Sequence, residues 1–367
     1  MEASGGKKKD IQSFKGKVWR DGRIIESEFH IHEGKIANDL KSRPYKAAYI
    51  IPPFTEPHIH GGWGKDFEKS DFGPLEKKLK RLGIFCAVPT ISCSSVDKLK
   101  KLSASFKKYK AEKPQSIFPF LRVEGPFISP AKKGAQDERY ILPATIQNIE
   151  ELLNIDSYKI HTFAPEMTHS DIFVTKALNA GKIPSAGHSQ AAYRDFLRLY
   201  DLGLRHMTHY PNAMSPLHHR EIGLTGAGLL LDGLQLEFIA DGIHNSMDFF
   251  SLLLKVKGPS FCLASDMVPP AFSGSQIFPH IKTDSTGRRI TIENDVLAGG
   301  ATSVPEQAAA LFKFHIKPEE IIPLACTNAL KFLSLPIPEI KQGQDADFIL
   351  LNKSFDVEAV YEKGKRL

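Results

Sequence analysis

Short apolar runs rich in β-branched and aromatic residues recur along the chain: "YIIPPF" (49–54), "IFCAVPT" (84–90), "IFPFLRVE" (117–124), "YKIHTFAP" (158–165), "IPSAGH" (183–188), "LRHMTH" (204–209), "LQLEFIAD" (234–241) and "FCLASD" (261–266). These are eight candidate buried strands. Between several of them lie amphipathic helical patterns, such as "TIQNIEELLNI" (145–155), "IFVTKALNAG" (172–181), "AYRDFLRLYDLG" (192–203) and "SMDFFSLLLKVKG" (246–258). Strands alternating with helices predict parallel βαβ units. Eight such units in roughly 250 residues match the size of a (β/α)8 TIM-type barrel. A doubly wound sheet has fewer strands and a glycine-rich dinucleotide turn, and no such turn is found.

The ends of the chain have a different texture. Residues 16–38, "GKVWRDGRIIESEFHIHEGKIAN", alternate polar and apolar positions around the turn signals "RDGR" and "HEGK", and 343–367 do the same. Both read as antiparallel strands. The expected organisation is a small β-sandwich domain built from both termini, 1–50 and 335–367, beside a barrel over 51–334.

Composition narrows the function classes. With 42% hydrophobic and 25% charged residues, and no apolar run near the roughly 20 residues that span a bilayer, the chain reads as soluble and globular, with no membrane role. The start "MEASGGKKKD" lacks a following apolar stretch and cleavage site, so a cytoplasmic location is expected. Cys86, Cys93, Cys262 and Cys326 sit singly in apolar surroundings and read as buried, reduced thiols. The net charge of +6 comes from lysines spread through segments such as 97–113, a solvated helix face. No nucleic-acid module is evident, and the charge is compatible with an anionic small molecule.

Chemistry enters at the strand ends. "HIH" places His58 and His60 two residues apart, so in a strand both point to one side. Alone, that spacing is common and decides little. The other strands end on Glu124, His188, His209 and Asp266, and barrel active sites lie at the C-terminal strand ends. Convergence of these ligand types on one rim predicts a metal centre, although single members could still be structural. Nitrogen and carboxylate donors without cysteine suit Zn2+ best, with Fe2+, Mn2+, Co2+ or Ni2+ as alternatives. A divalent ion so held lowers the pKa of bound water and polarises a carbonyl, which points to hydrolysis of an amide or ester. Asp266 is the expected proton shuttle; its competing use is a turn or N-cap aspartate in "SDMVPP".

The segment 208–228, "THYPNAMSPLHHREIGLTGAG", is crowded with Asn, His, Arg and Gly and is expected to line a substrate site. Arg220 offers a bidentate guanidinium to phosphate or carboxylate, with a salt bridge to Glu221 or another surface acid as the competing use. The backbone N–H groups near Asn212 and Ala213 are candidate donors. In "ADGIHNS" (240–246), His244 is the expected functional residue, or else a donor that orders the loop.

Taken together, "HIHGGWGKDF", "VEGPFISPAKKGAQD", "AGHSQA", "THYPNAMSPLHHREIGLTGAG", "IADGIH" and "LAGG" (297–300) resemble the ordered signature blocks of N-acetylglucosamine-6-phosphate deacetylases, in the metal-dependent amidohydrolase superfamily. The resemblance implies Glu124, His188 and His209 as principal metal ligands, and His58 and His60 as ligands of a second ion, one or two per subunit. It implies Asp266 as the catalytic acid/base. Substrate contacts are implied at Ala135, Gln136, Asn212, Ala213 and Arg220, in the loop Asp241, Gly242, Ile243 and His244, and at Gly299, Gly300 and Ala301. Homodimers are implied, with some phosphate-binding groups reached across the interface. This chain departs from the pattern at Gln136, where the family usually has histidine, at Glu56, where aspartate is usual, and in the loop after Asp266.

The expected activity is deacetylation of N-acetylglucosamine-6-phosphate to glucosamine-6-phosphate and acetate. The rivals are an amidohydrolase acting on another N-acyl amino sugar or a cyclic amide, and a non-catalytic sugar-phosphate-binding protein on the same scaffold.

Overall fold

The computed structural model describes residues 12–38, 44–274, 278 and 280–367. The N-terminal stretch 1–10, on which the targeting expectation rests, lies outside them. Eight strands form one sheet in sequence order: Phe54–Ile59, Ile84–Ile91, Leu121–Glu124, Tyr158–Phe163, Ile183–Ala186, His206–Met207, Gln235–Phe238 and Cys262–Leu263. Every neighbouring pair is parallel. The sheet closes where the last strand returns to the first: Asp266 N–H donates to His58 O (2.9 Å) and His60 N–H to Met267 O (2.8 Å). This is the predicted barrel.

The expected first barrel strand, 49–54, is divided. Tyr45–Ile51 belongs to the terminal sheet and the barrel strand begins at Phe54. Pro52 and Pro53 separate them because proline has no N–H for a ladder. Apart from Ile84–Ile91, which extends one residue past its run, the remaining strands are shorter than their apolar runs. Leu121–Glu124 starts after Pro119, and the strands near His188, His209 and Asp266 stop two or three residues before them.

Helices follow the strands where the periodicity places them. Ile146–Leu153 is capped by Thr145, Met247–Lys257 by Ser246 and Val96–Glu112 by Ser95, each side chain accepting from a backbone N–H of the first turn. The lysines of the last helix face solvent, with Lys100 on Glu151 (2.6 Å) and Lys107 on Asp156 (3.1 Å). Cys93, Cys262 and Cys326 are buried, Cys86 is half-buried, and all four are free.

The two ends meet in a seven-stranded sheet, ordered Lys365–Arg366, Val357–Glu362, Phe348–Leu351, Tyr45–Ile51, Gln12–Arg20, Arg23–His32 and Lys35–Ala37. Asp21 and Gly22 are both at positive φ, the geometry of a two-residue turn that suits strand twist, and Arg20 pairs with Arg23 across it. The sheet curls until Ile36 N–H reaches Gln344 O (3.0 Å), enclosing Phe14, Phe29, Phe348 and Tyr361 with ring centroids 4.8–5.6 Å apart. A three-stranded antiparallel insertion, Lys282–Thr283, Ile290–Thr291 and Leu297–Gly299, stands beside the barrel mouth. It was absent from the sequence expectation because its strands are too short to show a period. Among the described residues no helix is long and apolar enough to cross a membrane.

Candidate metal centre

Strand ends bring the predicted ligands together. Glu124 is the last residue of its strand, His188 lies two residues beyond Ala186, His209 two beyond Met207 and Asp266 three beyond Leu263. His188, His209 and Asp266 have φ of 47°, 30° and 49°. That left-handed conformation costs a non-glycine residue of order 1–3 kcal/mol and persists where surrounding contacts impose it. Asp266 is therefore not an N-cap; its backbone is bonded to His58 O and Gly300 N–H instead.

Two overlapping groups of donor atoms result: His58, His60, Glu124 and Asp266, and Glu124, His188 and His209, each with its donor atoms within 4.8 Å of one another. Glu124 Oε1 lies 2.9 Å from His209 Nε2 and 3.3 Å from His188 Nε2, while Oε2 lies 3.3 Å from His60 Nε2. Asp266 Oδ1 is 3.2 Å from His58 Nε2 and 3.3 Å from His60 Nε2.

The outer nitrogens of three imidazoles are anchored. His188 Nδ1 donates to Lys132 O (2.7 Å), His58 Nδ1 meets Glu237 Oε2 (3.3 Å), and His60 Nδ1 meets Ser92 Oγ (3.3 Å). The carbonyl and carboxylate partners of His188 and His58 can only accept, so those two rings carry the proton on Nδ1 and turn Nε2 inwards as a lone-pair donor. His188 Nε2 and His209 Nε2 then stand 3.0 Å apart, and His58 Nε2 and His60 Nε2 3.3 Å apart. Two imidazole lone pairs at that separation repel unless a proton or metal ion lies between them.

Electrostatics agree. Burial opposes ionisation of Glu124, yet the surrounding histidines, His58 first, hold its carboxyl well below the usual range. Burial likewise works against Asp266, but His58 and His60 bring it down to about 2. Burial and then Arg122 lower the His58 imidazole. His60, against its own burial, is raised to about 10 by Asp266 and Glu124. The carboxylates thus attract positive charge into a buried, nitrogen-rich cluster. The donor set fits a divalent cation.

The cluster forms the floor of a cavity of about 840 Å3. Ala135, Gln136, Asn212, Ala213, His244 and Gly299 line it, as expected from the sequence, together with His60, Glu124, His188, His209 and Asp266. His58 is fully buried beneath them. Other expected contacts fall elsewhere. Arg220 is exposed, its guanidinium against His219 (3.0 Å), outside this chain's cavity lining and without an ion pair to Glu221. Asn212 N–H is taken by His209 O (2.8 Å). Asp241, Gly242 and Ile243 also lie outside the lining. Asp241 instead accepts from Ile243 N–H and His244 N–H (both 2.8 Å) and from His244 Nδ1 (2.7 Å). Against burial, that carboxylate raises the His244 pKa, favouring a cationic ring at the cavity wall.

Gly300 and Ala301 are likewise outside the lining. Gly300 supports Asp266 from behind: its N–H donates to Asp266 O (2.7 Å), and a Cβ there would stand 2.0 Å from Ser265 O. Backbone cannot retreat from such a clash cheaply. Gly300→Ala is therefore expected to lower the unfolding free energy by about 1–3 kcal/mol, read as a shifted denaturant midpoint.

Sequence reasoning missed the support beneath the cluster. Arg122, fully buried inside the barrel, donates through Nη1 to Glu237 and through Nη2 to Thr208 and to Thr162 (3.3 Å). Glu237 also accepts from Thr208 Oγ1 (3.2 Å) and His209 N–H (3.4 Å). Burial would raise its carboxyl, but Arg122 and then His206 keep it well below the usual range. Opposite charges inside two apolar runs, "LRVE" and "LQLEF", were the available signal. Glu56 is buried too, accepts from Ser265 N–H (3.0 Å) and His58 N–H (3.2 Å), and is pushed by burial up to about 8. Lys69, Lys132 and Lys133 on the cavity wall were also missed.

Comparison with known proteins places this geometry. The Amidohydrolase family model matches residues 49–367. An N-acetylglucosamine-6-phosphate deacetylase of Bacillus subtilis (strain 168) is 28% identical over 352 residues, covering 89% of each chain. An N-acetylgalactosamine-6-phosphate deacetylase of Escherichia coli O157:H7 is 25% identical, covering 94% of this chain and 96% of its own. Among solved structures, an N-acetylglucosamine-6-phosphate deacetylase of Thermotoga maritima superposes with a TM-score of 0.86 at 31% identity, covering 97% of this chain and 99% of that one. With the barrel, the strand-end ligand cluster and the family match over 49–367, this chain belongs to the amidohydrolase family.

Proposed function

We propose that this protein hydrolyses the acetamide of N-acetylglucosamine-6-phosphate, releasing glucosamine-6-phosphate and acetate. The observation that carries the reading is the shared Glu124 at the floor of an open cavity, with an ionised Asp266 beside it. Glu124, His188 and His209 would hold one divalent ion, Zn2+ by donor type, and His58 and His60 a second with Glu124 and Asp266. Such an ion lowers the pKa of a bound water and polarises a carbonyl oxygen. The protein's own groups do the rest. Asp266 accepts the proton of the attacking water and returns it to the departing amine, so the amide C–N bond breaks with no net change in the enzyme.

The cavity wall suits a phosphorylated sugar. Lys69, Lys132 and Lys133 place positive charge around the space above the cluster, with His244, its pKa raised by Asp241 against burial, beside them, where a phosphomonoester would meet charge-assisted donors. Residues 51–334 form the hydrolytic unit in this reading, with 1–50 and 335–367 its β-appendage. The protein acts as a cytoplasmic homodimer. Arg220, exposed and away from its own cavity, is then available to the cavity of a second copy, and the sedimentation mass in solution tests that part.

Acetate release is measured from N-acetylglucosamine-6-phosphate, its galactosamine isomer and unphosphorylated N-acetylglucosamine. The expected result is a kcat/KM at least about tenfold higher with the 6-phosphate, the loss of one charge-assisted contact being of order 1.5–3 kcal/mol. Equal rates with and without phosphate would overturn the substrate assignment. A preference for the galactosamine isomer would favour another N-acyl amino sugar, as in the N-acetylgalactosamine-6-phosphate deacetylase of Escherichia coli O157:H7.

A further inference from the structure

Gln136 lines the cavity, but both ends of its side chain point into the protein. Cys93 N–H donates to its Oε1 (2.7 Å), and its Nε2 donates to Glu124 Oε2 (2.7 Å). The first contact settles the second. A backbone N–H requires an acceptor, so the amide oxygen must face Cys93 and the NH2 group must face the carboxylate. Gln136 is itself held, since its N–H donates to Lys133 O (3.0 Å), in the same loop whose Lys132 O orients His188.

Glu124 is the one residue common to both donor groups. Its oxygens are unequally placed between them: Oε1 is nearest the second group, 2.9 Å from His209 and 3.3 Å from His188, with His58 of the first group at 3.6 Å, whereas Oε2 is 3.3 Å from His60 of the first group and carries the Gln136 bond. A carboxylate in a cluster of four histidines could rotate and present both oxygens to one side. A neutral donor fixed from outside opposes that rotation without adding charge to a site built for a cation.

We propose that Gln136 is a positioning residue for Glu124: clamped by Cys93, its carboxamide keeps one carboxylate oxygen towards each donor group, so that both groups share Glu124 and hold two divalent cations. The inference rests on the reading of Glu124 as a metal ligand.

The test is calorimetric titration of Zn2+ into metal-free full-length protein, with the apo melting temperature of each variant recorded alongside. Wild type is expected to take up two ions. Gln136→Leu, of similar length but without polar atoms, and Gln136→Asn, which keeps the amide but is too short to span Cys93 and Glu124, are both expected to bind one ion about 10–100-fold more weakly. Either variant suffices if the other does not fold. Glu124→Gln is the control and is expected to weaken binding of both ions. Wild-type affinities and stoichiometry in a folded Gln136 variant, or a single ion in wild type, would overturn the proposal while the metal centre stands. Undiminished Zn2+ binding by Glu124→Gln would remove the metal-ligand reading itself. A drop in turnover with metal binding unchanged would assign Gln136 to the substrate instead, and would equally overturn it.

Discussion

Asp266→Asn should reduce kcat for acetate release by about 10^2–10^4, the span typical of removing a positioned acid–base group. Asparagine keeps the shape and the backbone bonds to His58 and Gly300, but it cannot accept a proton. The wild-type carboxyl is held ionised by His58 and His60, within 3.3 Å of both, and opens onto the cavity. Among the described residues the other carboxylates nearby are engaged elsewhere: Glu124 is shared between the two donor groups, Glu68 pairs with Lys98 and accepts from Ser92 N–H (3.1 Å), Asp66 accepts from Glu68 N–H (2.8 Å), and Asp241 lies outside the cavity lining, bound to His244. Metal content must be measured on the same preparation, because Asp266 also belongs to one donor group. Wild-type turnover in the variant would refute the proton-shuttle role, whereas lost turnover with lost metal would assign Asp266 to binding.

Arg122→Met should destabilise the fold by about 3–5 kcal/mol, the range for removing one partner of a buried ion pair. The guanidinium and the Glu237 carboxylate are both fully buried, and Glu237 additionally holds His58 Nδ1 and His209 N–H. Methionine leaves that carboxylate without its main counter-charge. Losing that counter-charge leaves burial to raise the Glu237 pKa in the folded state above its unfolded value, so the variant's deficit should grow as pH rises from the usual glutamate range up to that raised pKa. Urea midpoints across pH measure this. The double variant Arg122→Met/Glu237→Gln should recover part of the loss, since the damage lies in the orphaned charge rather than in the missing contact. A double variant no more stable than Arg122→Met would argue that the arginine matters through packing.

The barrel and the terminal sheet were largely legible because their signals are local. Alternating apolar runs and helical periods mark one strand or helix each, and Asp21-Gly22 marks its own turn. The failures were at boundaries and in short elements. Residues 49–54 carry one unbroken apolar run that the structure splits at Pro52-Pro53 between two sheets, and the two- and three-residue strands of 282–299 have no period to detect. At the site, Glu124, His188, His209, Asp266, His58 and His60 could be grouped because each lies at a strand end or within three residues of one. Arg220 and Asp241 could not be placed, because side-chain type does not say which cavity, if any, a loop faces.

By itself the sequence determined the element types, their order, and the ligand chemistry available at the strand ends. Tertiary structure alone decided the rest: that Glu124 is shared between two donor groups, that Gln136 turns inward to it, and that Arg122 and Glu237 neutralise each other beneath the floor. Secondary structure follows from neighbours a few residues apart, which the sequence displays directly. A site whose donors come from strands up to about two hundred residues apart depends on barrel closure, register and burial, and these exist only once the whole core has packed.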